Sequence, residues 1–232
     1  MEGTMISICL TNYNRTDSLC RSFAKVWEDE RINEIVIVDD CSSEETTNYL
    51  LEYLFGKPKI SIYLNNENIG MSQNKARAIS LATNDWCIIL DSDNILDKTY
   101  IDKLYKLQWQ NDTIYAPDFA KPNFNYAEYA GRQFSKHNLK RWAKTRNWEL
   151  IMNTCNYFVN KNEYTKVYQF NPEMKGTDTA WFNYLWFQAG NKFQVVRGMQ
   201  YEHTVHDDSE FIKHMDYNMR MSSELRLMML SL

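Results

Sequence analysis

Trp86-Cys87-Ile88-Ile89-Leu90 is an unbroken apolar run that stops at Asp91-Ser92-Asp93-Asn94, two carboxylates one residue apart. A run this short, rich in Ile and without polar alternation, is expected to be a strand buried on both faces, the kind found in parallel sheets covered by helices on each side. In such sheets ligands sit outside the carboxyl ends of the strands. Asp91 and Asp93 therefore stand where hard oxygen ligands can hold a divalent cation beside a phosphate, which points to a nucleotide diphosphate. A local reading competes with this one, because Asp, Ser and Asn also gather where a strand turns into a loop or caps a helix.

The chain before this strand repeats one unit: strand, polar end, helix. Met5–Leu10 reads as a strand, Thr11-Asn12-Tyr13-Asn14-Arg15 as a polar turn and Asp17–Trp27 as a helix. Glu34–Val38 is a β-branched strand that stops at Asp39-Asp40-Cys41-Ser42-Ser43, followed by a helix over Glu44–Leu54, a strand over Lys59–Asn65 and a helix over Ser72–Ala82. Alternating β and α units with short connections imply an α/β fold with a parallel sheet and right-handed crossovers. Beyond Asp93 the pattern loosens. Ile95–Gln108 reads as a helix, Thr113–Ala116 as a short strand, and Pro117–Tyr129, with Pro117 and Pro122, as a loop. Asn153–Val159 and Phe193–Arg197 read as strands and Asp178–Ala189 as an aromatic helix. Ser209–Leu232 is a Met- and Leu-rich helix expected to pack on the domain or on a second subunit, with a membrane surface as the other reading.

The formal net charge of −4 argues against general nucleic-acid binding, which needs a basic face. The five cysteines (Cys9, Cys20, Cys41, Cys87, Cys155) lack metal-ligand spacing, so buried free thiols in a reducing compartment are expected. No signal peptide is recognisable and no apolar run approaches the roughly 20 residues that cross a bilayer, so a place in the cytoplasm or at the inner membrane face is expected. Seven Trp and 15 Tyr are more than a core needs. Trp142, Trp148, Tyr157, Trp181, Tyr184 and Trp186 follow Asp93, where aromatic faces suit either a carbohydrate or an aromatic core. Arg132, Lys136, Lys140, Arg141, Lys144 and Arg146 form a basic segment that reads as a solvated helix face, or else as a contact for phosphate or anionic lipid.

Asp39-Asp40 and Asp91-x-Asp93 would face the same sheet edge. Four carboxylates in one crevice repel unless a metal or hydrogen-bond donors offset the charge. Ser7–Arg15, Ile37-Val38-Asp39-Asp40-Cys41-Ser42, Asn68-Ile69-Gly70 and Leu90-Asp91-Ser92-Asp93, in this order, resemble the GT-A glycosyltransferases of family two, inverting enzymes that use nucleotide-diphosphate sugars. The resemblance covers Met5–Asn94 strongly and continues more weakly to about Ser209. It implies a Rossmann-like, mostly parallel central sheet flanked by helices, with a nucleotide-sugar half (1–94), an acceptor half (95–208) forming a C-terminal subdomain, and a terminal helix (209–232).

Carried over by motif, the resemblance makes Thr11 and Tyr13 nucleotide contacts and Asp39 the acceptor for a base N–H, uracil's above all, with Asp40 beside it. Lys75 is the basic residue facing the nucleotide, with Arg77 as the alternative. Asp91 and Ser92 line the ribose and donor-sugar side, and Asp93 binds Mn2+ or Mg2+ bridging the phosphates, which neutralises the leaving diphosphate. Gly176-Thr177-Asp178 matches the acceptor-side motif, with Thr177 in place of the usual acid. Asp178 would then be the general base for an acceptor hydroxyl on a glycan or lipid-linked saccharide, its other reading being a helix cap. His203, or His206, would complete the metal shell, or else be a hydrogen-bonded structural group. A phosphoacceptor signalling domain explains neither the second acidic strand end nor the aromatic second half. A nucleotidyltransferase would need a Gly-rich phosphate loop after the first strand. A degenerate, glycan-binding relative is the remaining rival.

Overall fold

A computed structural model of the protein describes residues 3–122, 124–142, 156–174, 176–204 and 210–232. β1 (Ile6–Asn12) turns Ile6, Ile8 and Leu10 to one face of the sheet and Cys9 to the other, all buried, as the two-residue period of a strand requires. The apolar core is accordingly split into two clusters, one on each face.

α1 (Thr16–Ser22) stops five residues short of the Trp27 expected from sequence. There the chain tightens: Ala24 and Val26 bond back to the carbonyls of Arg21 and Phe23, three residues earlier, which a continuing α-helix does not do. β2 (Ile32–Asp39), α2 (Glu44–Leu54), β3 (Ile60–Leu64), α3 (Met71–Leu81) and β4 (Trp86–Leu90) follow. Ser43 fixes the start of α2 by accepting the N–H of Thr46.

The stretch expected as one helix over Ile95–Gln108 is instead β5 (Ile95–Leu96) followed by α4 (Lys98–Leu104), because Asp97 caps the helix through the N–H of Thr99. β6 (Thr113–Lys121) runs straight through Pro117, where a loop was expected. Pro117 pairs in register with Val196, and the β6–β10 register shifts directly after it, between Val196 and Gln200. Gly198, at φ +73°, sits in that bulge and donates its N–H to Asp118 at 2.7 Å. β7 (Phe124–Asn125), β8 (Gln133–Phe134), α5 (Leu139–Trp142), β9 (Phe158–Asn160), α6 (Lys161–Val167), α7 (Asp178–Gln188), β10 (Lys192–Glu202), α8 (Glu210–Lys213) and α9 (Met215–Ser231) complete the described strands and α-helices, so the single helix expected over Ser209–Leu232 is interrupted at His214. β9 is shorter than the strand expected from Asn153, the first residues of which lie outside the described ones, as do Trp148, Cys155 and His206.

One sheet in the order β3-β2-β1-β4-β9-β6-β10-β5 joins the two halves of the chain. Its long pairings, β1 with β2 and β4, β2 with β3, and β6 with β10, are parallel. β9 is antiparallel to both of its neighbours. After β1 the chain fills β2 and β3 on one side and then crosses to β4 on the other. The switch in strand order, and the crevice it opens, therefore falls between β1 and β4.

The aromatic residues of α7 belong to the core: Phe182, Tyr184, Trp186 and Phe187 are buried around the helix, which lies against α9. Tyr157 is buried with them, so these side chains are not available as a sugar platform. Arg132 and Arg141 rest on the ring of Trp142 and are exposed; of the basic segment expected as one helix face only Lys140 and Arg141 lie in a described helix, α5, and Lys144 and Arg146 lie outside the described residues. Cys9 and Cys87 are buried thiols as expected, whereas Cys41 is exposed and Cys20 half-buried. No helix among the described residues is long and apolar enough to cross a membrane.

Candidate active site

β1 ends at Asn12 between Asp39 of β2 and the acidic end of β4, so three strand ends meet at one edge. The carboxylates there are not left to repel one another; each is held by donors of the chain. Asp39, buried, accepts from Asn12 Nδ2 at 2.7 Å, Ser42 N at 2.9 Å and Ser42 Oγ at 2.6 Å. Asp40, also buried, accepts from Asn65 Nδ2 at 2.7 Å and from the N–H groups of Ile69 and Gly70, both at 2.9 Å, at the start of α3. That is where a helix dipole favours an anion. Cys41 completes the turn in a left-handed conformation, φ +62°. Donors of the chain thus offset the charge of this pair: Asp39 and Asp40 are tied into the loops that follow β2, whereas the acids that follow β4 are only partly buried. Thr11 is half-buried at the end of β1 and Tyr13, 52% exposed, stands beyond it with its ring accessible.

At β4 the acids meet cations. Lys75 Nζ lies 3.0 Å from Asp91 Oδ1 and 3.5 Å from Asp178 Oδ2, so one buried ammonium bridges a carboxylate from each half of the chain. Arg15 Nη1 lies 3.0 Å from Asp93 Oδ2. Arg77, the other basic residue considered for the nucleotide, is exposed on the far side of α3. Burial pushes the Asp178 carboxyl upward from its ordinary value, against the opposing pull of Lys75, and Asp91 adds to the push. A carboxylate so placed is a stronger base than one in water.

Asp178 begins α7 directly after Gly176-Thr177. A Cβ on Gly176 would sit 2.2 Å from Asn218 Nδ2, so only glycine lets the buried Asn218 of α9 press against this turn. From the other side, Tyr168, just past α6, meets Ser72 of α3 at 3.2 Å and stacks on Tyr164, 5.7 Å between ring centres. Gly176→Ala is expected to lose about 1–3 kcal/mol to overpacking, read as a lowered midpoint in thermal unfolding. Gly176→Ala with Asn218→Ala should recover most of it, and an unchanged single variant would show that the turn is not clamped there.

His203 follows β10, and the two-residue pairing of β10 with β5 carries it to the end of β4. Its Nδ1 lies 3.0 Å from Asn94 Oδ1, which also accepts the N–H of Thr204 at 3.2 Å. His203 is thus hydrogen-bonded to the buried Asn94, the residue that follows Asp93, and of Asp93 and His203 the carboxylate is the ligand type that suits Mn2+ or Mg2+. Among the described residues no three His, Cys, Asp or Glu side chains are grouped as a metal-holding set. A cation on Asp93 and His203 would draw its remaining ligands from phosphate oxygens and water, as Mg2+ does when it binds through one or two carboxylates plus substrate phosphates.

Three residues of this edge escaped the sequence reading. Asn156, fully buried, accepts the N–H of Asp91 at 2.8 Å and so sets the turn that aims the acidic pair. Nothing local announces it. Asn94 directly follows Asp93, and Arg15 closes the turn after β1, so both belong to the polar strand ends visible in the sequence.

The fold is that of GT-A glycosyltransferases. Staphylococcus aureus TarS, residues 1–349, is similar with a TM-score of 0.69 at 16% identity, covering 95% of this chain and 65% of that one. The same protein in complex with UDP-GlcNAc gives 0.70 at 15%, covering 95% and 66%. GalNAc-T7 with UDP, GalNAc and Mn2+ gives 0.66 at 15%, covering 89% and 45%. The chain belongs to glycosyl transferase family 2, whose profile matches residues 7–169, more than half of its length. Abequosyltransferase RfbV of Salmonella typhimurium is 31% identical over 109 residues, 42% of this chain and only a third (33%) of that relative.

Proposed function

We propose that the protein transfers a sugar from a nucleotide diphosphate, a UDP-hexose or UDP-N-acetylhexosamine, to a hydroxyl of a glycan or lipid-linked saccharide, with inversion and with Mn2+ or Mg2+. The observation that carries this reading is the Lys75 bridge: it joins Asp91, at the donor edge, to Asp178, on the helix facing it, so an acid for each substrate lies within one buried ionic group. The complexes of TarS with UDP-GlcNAc and of GalNAc-T7 with UDP and Mn2+ support the uridine donor and the metal.

In this reading Thr11 and the exposed ring of Tyr13 take the base, with Asp39 and Asp40 shaping the loops around it. Asp91 and Ser92 face the ribose and the donor sugar. Asp93 and His203 hold the cation, which when bound stabilises charge on the departing diphosphate. Asp178 removes the proton from the acceptor hydroxyl as it attacks the anomeric carbon from the face opposite the diphosphate, and Lys75 keeps that carboxylate ionised enough to act.

The test is thermal unfolding with UDP, GDP, CDP and TDP, each with Mn2+ and with EDTA. A ligand at a hundred times its Kd stabilises by about 2.7 kcal/mol. A rise in melting temperature is expected with UDP and Mn2+. Asp93→Asn is expected to lose the part of that rise which EDTA removes from the wild type, while keeping the unliganded melting temperature. A variant with full activity under chelator would refute the metal role, and no response to any nucleotide would refute the donor.

A further inference from the structure

Arg15 reaches across the crevice between residues 78 positions apart in the chain, from the turn after β1 to the end of β4, and its guanidinium sits on Asp93 at 3.0 Å. Its backbone is fixed at both ends. The carbonyl of Arg15 accepts Leu19 N and Ser18 Oγ, each at 3.0 Å. Asn14 before it, at φ +54°, exchanges hydrogen bonds with Ser42 and Ser43 on the loop after β2. The guanidinium is therefore carried into the crevice by a braced turn, onto the carboxylate that the cation needs, while the described residues supply few other ligands for that cation.

Resting on the donor reading above, we propose that Arg15 is a diphosphate-binding residue that makes cation and nucleotide bind together. In the donor-free protein it occupies Asp93 as a counter-cation. The planar guanidinium fork matches phosphate oxygens bidentately. An arriving diphosphate draws it off the carboxylate and leaves Asp93 open to the cation that accompanies the diphosphate. Without nucleotide a divalent ion must displace a fixed positive charge, and without the ion the nucleotide still gains an arginine.

Binding reports this directly, apart from turnover. Mn2+ is titrated into the full chain without nucleotide, following the electron paramagnetic signal of the free ion; UDP is titrated by calorimetry in EDTA and in Mn2+. For Arg15→Ala, Mn2+ binding without nucleotide should tighten at least about fivefold and UDP binding in EDTA weaken at least about fivefold, the lower end of ordinary coupling. Arg15→Lys, which keeps the charge but not the fork, should stay close to wild type for Mn2+ and close to Arg15→Ala for UDP. Opposite shifts for the two ligands are the signature, since a merely structural arginine would weaken both together. If UDP and Mn2+ bind the wild type but Arg15→Ala leaves Mn2+ binding unchanged or weaker, the inference falls and the donor reading stands. If the wild type binds UDP under neither condition, both fall.

Discussion

Asp178→Asn is expected to lower transfer by about 10²–10⁴-fold, the usual contribution of a general base, while leaving the Kd for the nucleotide diphosphate unchanged. The same residue is the first of α7, one past the N-cap Thr177, so a lost contribution to the helix start must be told apart from a lost base. Stability separates them. Burial raises the Asp178 carboxyl in the folded protein, so its contribution favours folding at pH below its unfolded value and is lost as pH rises through its folded value. At neutral pH the ionised group is a net cost of burial, offset in part by Lys75. Asparagine keeps the shape and removes the charge, and it is itself a good residue at a helix start. The variant should therefore melt no lower than wild type at neutral pH, whereas loss of a needed contribution to the helix start would lower the melting point. In wild type, transfer should fall on the acid side through an ionisation raised from the ordinary carboxylate value by burial, and that limb should be missing from the residual activity of the variant. Transfer within tenfold of wild type would place the base elsewhere, and parallel loss of nucleotide binding would make Asp178 a structural group.

The donor half was legible because its signals are local. β4 matches the apolar run Trp86–Leu90, and α2 matches Glu44–Leu54, because Ser43 provides a cap that the sequence displays. The choice between Lys75 and Arg77 was also within reach. Lys75 lies three and four residues before Ala78 and Ile79 and so shares their buried face, while Arg77 falls on the opposite side of the same helix. The acceptor half was less legible because long-range pairings decide it. β5 is two residues long and exists only because β10 pairs with it. β6 continues through Pro117 because it pairs there with Val196 of β10, far along the chain. Asn156 is set by the neighbouring strand end and by the hydroxyl of Tyr100, which bonds its carbonyl at 3.1 Å. The aromatic residues left two readings open because composition cannot say whether a ring faces a ligand or a core, and burial of Tyr157, Tyr184 and Trp186 selects the core for them.

Lys75→Met should be the most destabilising single change at this edge. The methionine fills the volume but leaves Asp91 and Asp178 facing each other with their shared cation gone, and Lys75 and Asp178 are each only 9% exposed at the side chain. Removing one partner of a buried ionic group costs about 3–5 kcal/mol, because the remaining charge is stranded. The loss should depend on pH in a definite direction. Without the ammonium, burial and Asp91 act unopposed by Lys75, so Asp178 rises further, and protonating it relieves the strain. By the same linkage the variant should approach wild-type stability in acid and fall away from it as the pH rises through the carboxyl's new folded value. Urea unfolding at about pH 4.5 and about pH 7.5 reads this, with the larger gap expected at the higher pH. Adding Asp178→Asn to Lys75→Met should recover much of the neutral-pH loss, because one of the two stranded carboxylates is then neutral; the residue left over measures Asp91. An equal loss at both pH values, or no recovery in the double variant, would mean that Lys75 supports this edge through the packing of its stem on α3 and not through the charge it shares between the two halves of the chain.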